Sequence, residues 1–484
     1  MFNNYPTLTR RTSQAVFATL LTVAALQAHA AATIVIQNTN AAGVGFNDPT
    51  PAAPVGGNAG TTLGLQRLIA FQAAADIWGA TLTSTQTIII RASFEPLTCT
   101  AASATLGSAG AYNIWHDFPG AGFSNTWYPQ ALANKLSGVN QSAGDPVDGQ
   151  DIIARFNSNL GQPGCLDGTF FYLGLDNNHG GDVDLVAVLL HEFGHGLGFQ
   201  TFTSGNTGIQ EDGMPSVWDR FLLDNATLKT WNIMTDTERA ASARNTGQLV
   251  WNGANVTNGA LLVLVTGTPG LSIAGPASGT AAGIYPVGTA GFGPSLASVS
   301  VMQQVMPVVD QPTGKGLACT PLSVTNARAV AGRVALIDRG TCTFVVKTKN
   351  AQNAGAVAVI IADNVAGSPP PGLGGADPTL VIPAVRVTLD DGNRLKAALA
   401  TRSRTSSGVI ATLGLVGTAL AGGDAQGHVQ MFAPNPFQGG SSVSHYDTSA
   451  TPNLLMEPSI NSDLTHSVMT PQDLTFELLK DIGW

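Results

Sequence analysis

Residues 184–201, DLVAVLLHEFGHGLGFQT, constrain this chain more than any other stretch. Leu185, Val186, Leu189, Leu190 and Phe193 make a helix that is apolar around most of its circumference, which calls for burial. Asp182 or Asp184 can cap its start, and Gly196 and Gly198 end it. A helix advances about 100° per residue, so His191 and His195, at i and i+4, project from one face and can grip one ion. Glu192, beside the first of them, can reach a water on that ion without ligating it. Two ordinary histidines and a surface Glu would share this pattern, but a Glu on a buried helix is costly unless it has a task. The segment therefore predicts zinc at His191 and His195, with Glu192 as general base.

A protein-held zinc needs a third side chain. HEFGHGLG resembles the metzincin clan, in which Gly198 would let the chain turn sharply below the metal. The commonest form of that pattern has its next ligand three residues later, where this chain has Thr201, a neutral hydroxyl and a poor zinc ligand. One alternative source is a carboxylate on a following helix, as in thermolysin-like enzymes, with Glu211 and Glu238 available. The other is a distant histidine. Residues 442–460, SVSHYDTSATPNLLMEPSI, resemble the leishmanolysin family of metzincins, whose third histidine lies far downstream of the helix.

That resemblance implies His445 as third ligand and Met456, in LLMEP, as the methionine of a turn packed beneath the metal. The ending LTFELLKDIGW resembles the closing helix of the same domains. The likeness covers the HExxHxxG segment and roughly the last forty residues. His466 and Met469 compete for the same roles, but three residues is too short for the ligand-to-turn spacing. Pro458 stands where metzincins carry a Tyr two residues after the turn Met, so an oxyanion donor would have to be the zinc or another group such as Tyr446. The implied protein is an α+β, zincin-like endopeptidase with one catalytic Zn²⁺, acting on proteins or peptides. The strand expected at residues 169–175 would offer its edge to an extended substrate. Rival readings are a non-catalytic zinc-containing binding protein descended from a peptidase, and a thermolysin-like enzyme with a Glu ligand.

Between His195 and His445 the text changes character, becoming rich in Gly, Ala and Val with few charges. Residues 332–364, GRVALIDRGTCTFVVKTKNAQNAGAVAVIIADN, read strand, turn, helix, strand and resemble the protease-associated (PA) domain inserted in secreted peptidases. A nucleotide-binding βαβ unit is disfavoured because no GxGxxG follows the strand. The expected organisation is an export signal at 1–30, the first part of the catalytic domain at 31–257, an α/β PA insert at 258–415, and the rest of the catalytic domain at 416–484. Four cysteines and no CxxC favour disulfides in an exported chain. Cys99 pairs with Cys165 and Cys319 with Cys342 if each bond stays within one domain, although four cysteines allow three connectivities. Cys319 also fits the PA family's disulfide partner for Cys342.

Arg10 and Arg11, the apolar run at 15–26 and AHA ending at Ala30 have the form of a signal peptide, which implies secretion after cleavage near Ala30. A formal charge of −9, with no Lys/Arg cluster, argues against nucleic acid and against anionic membranes. A monomer is expected. Calcium is a lesser expectation, at Asp145, Asp148 and Asp151 or near Asp176, where solvated acidic loops explain the same residues.

Overall fold

The computed structural model describes residues 31–101, 103–145, 149–309, 315–367, 370–375, 377–461 and 463–484. The export signal read at 1–30 and Asp148 lie outside the described residues. Ile34–Asn38, Ile88–Glu95 and Ile152–Asn157 form parallel strands of a four-stranded sheet. Its edge is Gly107–Ala111, running antiparallel to Ile152–Asn157. The helices Leu63–Thr81 and Leu185–Leu197 pack on each other, and the second also packs against the edge strand.

Leu63–Thr81 is a helix in which Leu65, Leu68, Ile69, Ala73 and Ile77 recur at helical spacing, yet these do not form its most buried face: Leu65 is 42% exposed and the others are half-buried. The covered face carries Ala70, Phe71, Ala74, Ala75 and Trp78. Small alanines let the two helices approach closely, and the Trp78 indole donates to the Leu190 carbonyl (3.1 Å). Every residue of Leu185–Leu197 is buried, as its composition predicts.

The insert is built on an eight-stranded sheet. Val301–Pro307, Val334–Asp338, Ala358–Ala362 and Ala384–Val387 run parallel at its centre. The Val/Ile/Ala runs of the strands Val334–Asp338 and Ala358–Ala362 are buried on both faces: Leu336 and Ile360 face one apolar cluster, Ile337 and Ile361 the other. The strand–helix–strand read at 332–364 is Val334–Asp338, Phe344–Asn353 and Ala358–Ala362.

The chain enters this unit along Thr266–Ala274 and leaves along Ile410–Leu420, paired antiparallel from Thr266–Leu420 to Ala274–Ile410. Entry and exit therefore lie side by side, and the insertion need not distort the host. The junctions differ from 258 and 415. Val256, Ala260, Val263 and Leu264 pack in the core that holds the two histidines, which keeps the helix Ala254–Val263 with that core. The exit strand likewise runs on to Leu420.

Beyond the insert the chain is stitched back into the host. Val429–Gln430 pairs with Leu249–Trp251, the Phe432 N–H donates to the His445 carbonyl (2.9 Å), and the Tyr446 N–H donates to the Met456 carbonyl (2.8 Å). The closing helix is Thr475–Ile482, and the Trp484 indole beyond it donates to the free carbonyl of Leu197 (2.8 Å). Both disulfides join the expected partners, Cys99 with Cys165 and Cys319 with Cys342. No helix among the described residues is long and apolar enough to cross a membrane.

Candidate metal centre

Asp184 starts the histidine-bearing helix by accepting the Ala187 N–H (3.1 Å). Gly198, at φ 129°, ends it in a conformation that favours glycine. His191 and His195 face the same point from successive turns, 3.1 Å apart at Nε2. His445 Nε2 lies 3.2 Å from that of His195 and 3.3 Å from that of His191.

Each ring's other nitrogen is held by a backbone carbonyl. His191 Nδ1 bonds to Leu455 O (2.7 Å), His195 Nδ1 to Phe199 O (2.7 Å) and His445 Nδ1 to Ser441 O (2.8 Å). A carbonyl only accepts, so each Nδ1 carries the proton and each Nε2 turns a lone pair inward. Burial drives the same state, pushing His191 down to about 4, His445 down to about 3 and His195 well below its ordinary value.

Three inward lone pairs at this spacing repel one another unless a cation lies between them. Imidazole nitrogens 2.0–2.1 Å from a tetrahedral zinc stand roughly 3.3 Å apart, which matches the spacing here. The donor set therefore fits zinc. Among the described residues these three histidines are the group of metal-binding side chains whose ligand atoms all fall within 4.8 Å.

Glu192 is buried beside them. Desolvation raises its carboxyl to about 8, against the lowering effect of the hydrogen bond it accepts from the Ala109 N–H. Met456 is fully buried under the helix, where its Sδ lies 3.0 Å from where a Cβ on Gly194 would stand. A larger residue at 194 would press the thioether away, which accounts for glycine between the two histidines.

The structure places the competing candidates elsewhere. Glu238 caps the helix Asp236–Ser242 with Thr235 and pairs with Lys229, whose ammonium helps hold it down at about 2. Glu211 is exposed on a separate short turn. His466 pairs with Asp184 (3.0 Å), and Thr201 donates to buried Asp219 (2.7 Å). Tyr446 is no oxyanion donor, because its buried hydroxyl donates to Leu474 O (3.1 Å). Asp151 accepts from the Ile89 N–H and from Asn134, while Asp176 is held by Tyr172 and Asn178. Neither these two nor Asp145 belongs to a cluster of metal-binding groups among the described residues.

The cleft over the histidines measures about 730 Å³. Its wall comprises residues 103–109 with the start of the edge strand Gly107–Ala111, opposite Gly439, Gly440, Ser441 and Ile460. The edge expected at 169–175 is not part of this lining. There only Phe171–Tyr172 is a strand, paired with Val183–Asp184. The text GSAGA at 107–111 gave no sign of the strand that does line the cleft, since it lacks the β-branched and aromatic residues that mark strands.

Residues 304–395 match the PA domain model. A probable lipoprotein aminopeptidase of Mycobacterium tuberculosis is 40% identical over 90 residues, 19% of this chain and 18% of that protein. An ER degradation-enhancing alpha-mannosidase-like protein of Homo sapiens is 51% identical over 45 residues, 9% of this chain and 5% of its own length. Among solved structures, a zinc aminopeptidase from Bacillus subtilis is similar over 33% of this chain and 36% of its own, at 24% identity and a TM-score of 0.22. The chain thus spans less than a fifth of the length of either of these two relatives. The stretches matched in the mycobacterial and human proteins, 90 and 45 residues, are no longer than the PA segment itself, and the insert carries a PA domain.

Proposed function

We propose that the chain is an exported zinc endopeptidase of the leishmanolysin-like metzincin type, with a PA domain inserted between its second and third metal ligands. The supporting observation is the convergence of three carbonyl-oriented imidazoles, from residues up to 254 apart, beside one buried carboxyl in an open cleft. Two disulfides suit an oxidising compartment.

His191, His195 and His445 would hold the ion. When bound, zinc supplies Lewis acidity, activating water at neutral pH and polarising the scissile carbonyl. The other steps belong to the chain. Glu192, an acid through burial alone, ionises beside a dication and takes the proton of the attacking water. Its hydrogen bond from Ala109 orients the carboxylate, which then returns the proton to the leaving amine. The edge strand Gly107–Ala111 pairs with an extended substrate and holds the scissile bond over the histidines. Met456 packs beneath the helix and sets its height.

The relatives named aminopeptidases raise a second reading, removal of single N-terminal residues. An exopeptidase has to hold an α-ammonium, for which a carboxylate is the natural partner. Among the described residues Glu192 is the one acidic residue lining the cleft, and it is engaged as the base, so internal cleavage is favoured. The test is cleavage of N-acetylated peptides by the zinc-loaded chain, its loss on chelation and its return with zinc. Hydrolysis confined to free N-termini would move the assignment to an exopeptidase. No hydrolysis of either substrate would reject both readings.

A further inference from the structure

Gln200 follows the second histidine by five residues and has no part in holding the ion. Its backbone is pinned on both sides. The preceding carbonyl, of Phe199, accepts from His195 Nδ1 (2.7 Å), and the following N–H, of Thr201, donates to Ser444 Oγ (3.3 Å) beside His445. Thr201 is fixed further by its hydroxyl, which donates to Asp219. The Gln200 side chain consequently has a set origin between two of the histidines.

From there it lines the cleft and lies against the edge strand. A Cβ added to Gly110 would come within 3.2 Å of Gln200 Oε1 and 3.8 Å of its Nε2. The Nε2 group is shielded from solvent yet has no hydrogen-bond partner. Unpaired, shielded amide N–H groups are rare and costly, and this one gains a partner once the carboxamide, whose last torsion is broad and roughly two-fold, turns towards a group that fills the cleft. The neighbouring Thr201 hydroxyl is already committed to Asp219. Gln200 is the one carboxamide among the lining residues.

We propose that Gln200 is a substrate-binding residue whose carboxamide N–H donates to a main-chain carbonyl of the peptide paired with Gly107–Ala111. The inference rests on the peptidase reading above and extends it. A peptide lying on that edge brings carbonyls past the Gly110 end of the strand, where the side chain stands. Its ligand is therefore the substrate backbone, whatever the substrate's side chains.

The test uses the full zinc-loaded chain and an N-acetylated peptide. Gln200→Glu keeps the shape and removes the N–H, and Gln200→Ala removes the whole group. Loss of one hydrogen bond made equally in ground and transition states raises KM by about tenfold and leaves kcat within about twofold. Zinc content and melting temperature stay at wild-type values in both variants. Wild-type KM and kcat in both variants would overturn the proposal. So would a kinetic loss accompanied in both by lost zinc or lowered melting, since Gln200 would then serve the fold. If the wild-type chain cleaves nothing, the peptidase reading itself fails; wild-type cleavage with unaltered variants rejects the Gln200 assignment alone.

Discussion

Replacing His445 by Ala tests the metal centre most directly. In the structure its Nε2 completes a triangle with sides of 3.1, 3.2 and 3.3 Å, and removal leaves two donors from a single helix. Apparent zinc binding free energies of about 10–16 kcal/mol in four-ligand sites correspond to roughly 3 kcal/mol per ligand, or about 100-fold in affinity. Zinc stabilises the folded chain by RT ln(1 + [L]/Kd). At a free concentration 100 times the wild-type Kd, the gain is about 2.7 kcal/mol for the wild type. With a 100-fold weaker Kd it falls to about 0.4 kcal/mol. Melting curves with and without zinc should then separate by about 3–4 °C for the wild type and by less than about 1 °C for the variant. Chelator competition gives the affinities independently. His466→Ala serves as the control and should behave like the wild type towards zinc, because that ring is engaged with Asp184. An unchanged zinc-induced shift in His445→Ala would refute the three-histidine site.

Glu192→Gln should retain stoichiometric zinc and lose roughly 10²–10⁴-fold in kcat, as expected for a general base; wild-type turnover would remove the carboxyl from the mechanism. Gly196→Ala should destabilise the fold by about 1–3 kcal/mol through overpacking, read as a shift in urea midpoint. The added methyl would stand 2.3 Å from Ile152 Cγ2, so an unchanged midpoint would show that Ile152 yields freely. The double change Cys319→Ser with Cys342→Ser should cost the insert about 3 kcal/mol and leave zinc affinity unaltered. Asp151 gives a pH dependence: burial raises its carboxyl from 3.8 to about 6, so the folded state binds its proton more tightly than the unfolded state. This group's contribution is full below pH 4 and is lost as pH rises to about 6, by up to about 3 kcal/mol. Asp151→Asn should flatten that part of the stability profile, and an unchanged slope between pH 4 and 6 would contradict it.

Elements carrying strong local patterns were legible in the sequence. The run LVAVLLHEFGHGL has too few polar positions to face water, and its burial follows from composition. VALID and AVIIA are short, apolar and bounded by turns, which marks strands covered on both faces. The helix Leu63–Thr81 was legible as a helix but not in its orientation. It is apolar nearly all round, so periodicity had little to choose between, and the outcome turned on size: Ala70, Ala74 and Ala75 allow an approach that Leu65 and Leu68 do not. The edge strand Gly107–Ala111 was illegible for the converse reason. Its conformation is imposed by pairing with Ile152–Asn157 and by packing against the histidine helix, neither of which local text records.

The third imidazole shows how far a site can exceed what spacing reveals. HExxH is self-contained because one helix supplies both rings, and 3.6 residues per turn makes i and i+4 neighbours without tertiary help. His445 has no such local geometry. It reaches the pair because the strands Thr266–Ala274 and Ile410–Leu420 return the chain to the point where it left, with Thr266 paired to Leu420, so the 155 residues from 266 to 420 add almost nothing to the distance spanned. Two backbone links then seat it: Phe432 donates to its carbonyl, and its ring proton goes to Ser441. Met456 is coupled to the same turn through the Tyr446 N–H, while the Leu455 carbonyl beside it orients His191. The late segment therefore both brings a ring and sets the tautomer of a ring already present. A chain truncated before residue 442 should lose the orientation of His191 as well as the third donor, and its zinc affinity should fall below that of His445→Ala. Equal affinities in the two would show that the pair on the helix is preorganised without the returning chain.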